Sequence, residues 1–133
     1  MAAPRVTVRD GHRAALTALP IAAWDTYLDA HNGLPGPRAN LELLEVVGDL
    51  APAEYLRACA ADADEYRATV GAAGLGRLVV DGDLDSIGTL RKLAADARWR
   101  VREGVAMALH RVGDADPTLL RRITDDWAGD PPL

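Results

Sequence analysis

Residues 90–112 read LRKLAADARWRVREGVAMALHRV, and residues 56–78 read LRACAADADEYRATVGAAGLGRL. Laid over each other at an offset of 34, the two stretches agree at nine of 23 positions. Four of the nine are alanine pairs, which an alanine-rich chain supplies by chance. The other five keep their order around the same short break: Leu56/Leu90, Arg57/Arg91, Asp62/Asp96, Leu75/Leu109 and Arg77/Arg111. Self-similarity at a period of roughly 20–50 residues is the signature of stacked supersecondary units.

Each unit reads as a helical hairpin. Leu84, Ile87, Leu90 and Leu93 recur at threes, the stripe of a short amphipathic helix. Asp96 stands where the N-cap of a second helix is expected. That helix should bury Val101, Val105, Ala108, Leu109 and Val112, with Leu109 fully enclosed. Gly113 should stop it, and Asp116–Pro117 should open the next. In the other unit, residues 54–61 pair with residues 65–80, and Asp81, Gly82 and Asp83 form the closing turn. A third copy begins at Thr118, where Trp127 falls 34 residues after Leu93. Its Leu119, Leu120, Ile123 and Trp127 make one apolar stripe, and Pro131-Pro132-Leu133 arrives before a second helix can form. Upstream, 39–47 is a short apolar helix, and 13–31 contains another broken at Pro20. The run Gly33-Leu34-Pro35-Gly36-Pro37 between them cannot be helical. Strand signal is confined to Val6-Thr7-Val8. The expectation is an all-α chain, a short α-solenoid in one domain over 1–133. Residues 1–37 supply an N-terminal helix and a Pro/Gly loop, and 38–133 hold the repeats, the last incomplete.

Composition fits that picture. A chain of 133 residues is the size of one domain. Hydrophobic residues make up 49% and Phe is absent, so the core must be built from Ala, Leu and Val with a few larger anchors. No apolar run has the length of a membrane span, and the first residues do not read as a signal peptide, which points to the cytoplasm. The single cysteine, Cys59, excludes an internal disulfide and a cysteine-based zinc site. Net charge is −5, which argues against nucleic acid as the main partner. The charge is uneven, however: residues 91–122 carry eight Lys/Arg against four acids, while 14–90 carry four Arg against twelve acids.

DARWRVREGVAMAL, beginning at Asp96, resembles the HEAT-repeat pattern of a turn aspartate, then Val-Arg, then a small-residue helix ending in Leu. The resemblance is good over 84–113, fair over 53–80 and weak before residue 50. It implies paired antiparallel helices stacked into a superhelix whose concave surface binds other macromolecules. A more distant similarity is to the HEAT-like alkylpurine DNA glycosylases. Trp99-Arg100-Val101-Arg102 resembles their Trp-x-x-Arg element, and Trp24-Asp25 with Asp29 resembles their Trp and catalytic aspartate. Those enzymes are longer and strongly basic, so a non-enzymatic scaffold is the leading expectation and a nucleic-acid-binding relative the alternative.

The candidate binding residues are Arg98, Trp99, Arg100, Arg102, Arg111, Arg121 and Arg122, since guanidinium forks hold oxyanions and an indole can stack on a base. The plainer roles are a turn contact from Arg102 to Asp96, solvation of the helices by the other arginines, and a packing staple at Trp99. Trp24 and Trp127 read as packing residues. Asp81, Asp83 and Asp85 occupy positions 1, 3 and 5 of a calcium-type loop, but Ser86 and Lys92 stand where its Gly and Glu belong. Gly71, Gly74 and Gly76 lack the dinucleotide spacing and read as a close helix contact. His12, His31 and His110 show no ligand spacing, and Cys59 reads as an inert core thiol. No catalytic constellation, metal or cofactor is expected. The expected partner is a protein, with self-association through the C-terminal helix if its apolar stripe stays uncovered.

Overall fold

The computed structural model describes residues 5–129, and every regular element in them is helical. The α-helices among these residues are α1 Val8–Ala18, α2 Trp24–His31, α3 Leu41–Leu50, α4 Ala53–Ala60, α5 Glu65–Val80, α6 Asp85–Leu93, α7 Trp99–Ala115 and α8 Pro117–Gly129. A single 3-10 turn, Ile21–Ala23, follows Pro20 and leads into α2. None is long and apolar enough to cross a membrane.

Local chemistry explains the starts. Thr7 accepts from the backbone of Asp10 at 3.1 Å, and the Asp10 carboxylate accepts from the backbone of Thr7 at 3.0 Å. This reciprocal capping box begins α1 and overrides the β-branched run, so the weak strand signal at Val6–Val8 yields no strand. Asn40 caps α3 by accepting from Leu43, and Asp64 caps α5 by accepting from Arg67. Pro117 is the first residue of α8, where its missing N–H costs nothing, and Asp116 caps it through Leu119.

The helix α5 is central, packing on α3, α4, α6 and α7. Glycines permit this. A Cβ added at Gly71 would lie 2.1 Å from the backbone nitrogen of Ala60 in α4. One added at Gly76 would lie 2.8 Å from Ala108 in α7, and one at Gly104 of α7 would lie 2.8 Å from the carbonyl of Thr69. The small residues read from the sequence as a close helix contact therefore bring main chains together. Around them one continuous apolar core runs from Leu16 in α1 to Ile123 in α8.

The two repeat units share their turn. α5 and α7 begin 34 residues apart, at Glu65 and Trp99. The carboxylate of Asp62 accepts from the backbone of Asp64 at 2.8 Å, and that of Asp96 accepts from the backbone of Arg98 at 2.9 Å. Asp96 is thus not the N-cap: it closes a tight turn two residues before the cap position, which Arg98 occupies.

Other expectations shift by a residue or a face. Val101, Val105, Ala108 and Val112 are buried, but Leu109 is only half-buried because it sits at the edge of the α7 stripe. Leu84 precedes α6 and is exposed, leaving Leu90 as the buried anchor of that helix. Gly113 does not stop α7, which continues to Ala115; its missing side chain makes room for Leu120 of α8. Through Ile123, which is buried, and Leu119, Leu120 and Trp127, which are half-buried, α8 lies back on the chain's own core. The guanidinium of Arg91 sits 5.9 Å above the Trp127 ring. The stripe expected to be uncovered is thus largely covered by its own chain. Residues 130–133, where the last hairpin was expected to be cut short, lie outside the described residues.

Candidate binding groove

The arginines of 91–122 do not gather on one face free to receive phosphate. Arg98 grips Asp96 through Nε at 2.9 Å and Nη2 at 3.0 Å, and its Nη1 donates to the carbonyls of Asp62 and Ala63 in the preceding turn. Arg102 donates to the carbonyl of Asp96 at 2.6 Å, the turn contact expected of it. Arg100 reaches back to Glu65 at 2.7 Å, and Arg111 reaches Asp49 on α3 at 2.7 Å. Arg121 and Arg122 stand exposed on α8. The basic segment is largely spent on bonds between consecutive turns and helices, four of its arginines being engaged by the chain's own acids and carbonyls.

Arg67 extends the same lattice. It donates to Asp62 at 2.9 Å and to Asp29 at 2.5 Å. Asp29 of α2, the residue resembling a catalytic aspartate, is therefore paired with Arg67 at the start of α5. Asp25 accepts from the Tyr55 hydroxyl at 2.7 Å, and Trp24 is buried with its indole N–H donating to Leu16 and Leu19.

Trp99 departs from its expected role as a staple. It is 54% exposed, with the Arg100 guanidinium 4.6 Å over its ring, so a cation already occupies one π-face. The indole stands at the mouth of a cleft of about 350 Å³ between α3, α5 and α7. Leu41 and Glu42 of α3 form one wall, Glu103 and Met107 of α7 the other, and Tyr66 and Thr69 of α5 the floor. Met107 is shared with a second cleft of about 400 Å³, which continues past Gly48, Asp49, Ala73 and Arg111. Together they make a groove along α5. Trp99 and Leu41, exposed apolar side chains, flank its upper end.

The groove is acidic. Carboxylates outnumber guanidiniums five to three along the two clefts. Glu45 pairs with Arg9 from α1, and Asp49 with Arg111. Glu42 and Glu103 are exposed and engage no cation among the described residues. Neither was singled out from the sequence, because nothing in the spacing of 42 and 103 announces that α3 and α7 face each other.

The remaining sequence candidates resolve locally. Asp83 in the Asp81–Asp85 turn accepts from Arg57 at 2.6 Å and from Ser86 at 3.0 Å, and Gly82 takes the positive φ of 103° that the turn requires. No group of three or more potential metal ligands occurs among the described residues. Cys59 is buried, and that burial pushes its thiol up to about 12, so it stays protonated. His12 and His31, which the sequence leaves apart, meet with ring centroids 5.9 Å apart around Tyr27.

Compared with family models, curated proteins and solved structures, the chain matches none.

Proposed function

We propose that this chain is a non-enzymatic macromolecule-binding module, a short HEAT-like solenoid whose working surface is the α3–α5–α7 groove. The observation that carries the reading is the groove itself: two adjoining clefts with exposed Trp99 and Leu41 at one end and a shared Met107 between them. Large apolar side chains left in solvent beside a concave surface mark an interaction site. The solenoid reading draws on the 34-residue spacing of α5 and α7 and on their matched Asp62 and Asp96 turns. The partner is a protein rather than nucleic acid, because the clefts are acidic and four of the six candidate arginines are bonded within the chain.

The test is selection of binders from a random dodecapeptide library on the intact chain, repeated on Met107→Arg, which places a long charge between the clefts. The reading expects peptides whose binding is lost in Met107→Arg, with a melting temperature near that of the parent. Sub-micromolar binding of duplex or single-stranded nucleic acid at about 150 mM salt, abolished in Arg121→Ala/Arg122→Ala, would establish the nucleic-acid reading instead.

A further inference from the structure

We propose that the segment received by this groove is basic: a partner-protein strand or helix presenting a lysine or arginine beside an apolar residue. The inference rests on the groove reading above and adds the chemistry of its occupant. Glu42 and Glu103 stand on opposite walls of the same cleft, one from α3 and one from α7. Each is exposed and has no cation from its own chain, in a protein that pairs most of the acids around them. Leu41, Trp99 and Met107 line the same cleft, apolar surface suited to the methylene stem of a long cationic side chain. The head group then enters a cleft that both carboxylates line. One positive neighbour, Arg100, is already neutralised by Glu65 and turned onto the Trp99 ring. Arg38 stands exposed on the loop before α3. It repels a charge entering from that side and so favours approach along the α7 wall.

Shape selects a peptide over a compact cation. A cleft of about 350 Å³ holds one or two side chains, and it opens at Met107 into a second cleft rather than closing. In that second cleft Glu45 and Asp49 are already paired with Arg9 and Arg111, so the carboxylates left for a basic residue are concentrated in the first cleft. An acidic segment would face two unpaired carboxylates, Glu42 and Glu103, against one exposed guanidinium, Arg38.

The peptide library decides this separately from the groove itself. Peptides selected on the wild type should be enriched in Lys or Arg next to an aliphatic or aromatic residue. Glu42→Gln/Glu103→Gln should weaken the best of them about tenfold or more, and added salt should weaken it on the wild type but little on the double variant. Both glutamates are exposed, so the double variant should melt with the wild type. Trp99→Ala, also at an exposed site, should weaken the same peptides. Selected peptides without a basic bias, lost in Met107→Arg yet indifferent to Glu42→Gln/Glu103→Gln, overturn the basic partner and keep the groove. Peptides that survive Met107→Arg overturn the groove, and a library that yields no binder overturns both.

Discussion

The side-chain amide nitrogen of Asn40 lies 3.4 Å from Nε2 of His12 and 2.9 Å from the carbonyl oxygen of His31. Its oxygen is committed to the backbone of Leu43 as the cap of α3, so the amide cannot turn over without losing that cap. Nε2 of His12 is therefore an acceptor, and Nδ1 carries the proton that it shares with the Tyr27 hydroxyl at 2.7 Å. Three elements, α1, α2 and the start of α3, are joined through one neutral imidazole.

Protonating His12 would aim an N–H at the Asn40 amide. Burial lowers its pKa below 6.5, His31 lowers it further, and Glu42 works against both. As pH falls through about 6.5, the unfolded chain takes up a proton that the folded chain resists. This contribution to stability is thus whole near pH 7.5 and shrinks towards pH 5.5, levelling off below the folded-state value. Urea midpoints at the two pH values should converge for His12→Gln while the wild type loses stability. An equal loss in both proteins would refute the assignment.

Two glycine substitutions should have opposite signs. Gly71→Ala drives a methyl into the backbone of α4 and should destabilise by about 1–3 kcal/mol, despite alanine's better helix propensity. At Gly88, exposed in α6 with nothing within 4 Å, alanine should instead stabilise by about 0.5–1 kcal/mol. Thermal melts of the pair check both.

Truncation should rank the core. Leu75→Ala empties a fully buried site and should cost about 2–5 kcal/mol, whereas half-buried Leu109→Ala should cost clearly less. Denaturant titration of both variants reads the difference directly, and equal losses would place Leu109 deeper than the structure does.

Arg98 holds the Asp96 carboxyl down at about 2. The stability this pairing supplies is complete above the ordinary value of 3.8 and fades as pH falls from about 4 towards 2. Asp96→Asn keeps an acceptor for the Arg98 backbone but loses the charge, so it should cost about 1–2 kcal/mol at neutral pH. Acid titrations of the two proteins should meet near pH 2.

The helices were legible where chemistry is local. Residues 65–80 are legible to their C-terminal end because Asp81, Gly82 and Asp83 form a turn there, and the structure adds Asp64 as the cap at the other end. The capping box at Thr7 and Asp10 is carried by a local spacing, but the β-branched residues around it mask the helix start. Arg102 could be placed because its partner is six residues away. Arg100 and Arg111 could not, since Glu65 and Asp49 lie 35 and 62 residues distant. The groove and the His12 network share that difficulty: residues 12, 27, 31 and 40 meet only after α1, α2 and α3 have packed.

The glycine contacts of α5 separate two properties that proteins usually alter together. α3 approaches α5 where Gly48 meets Gly74, and α7 approaches it where Gly104 meets Thr69 and Gly76 meets Ala108. The gap between the two jaws is therefore gauged by main chain against main chain. Leu41, Glu42, Trp99, Glu103 and Met107, the side chains that would touch a guest, take no part in those contacts. A lineage could rewrite what the mouth tastes while leaving its bite unchanged.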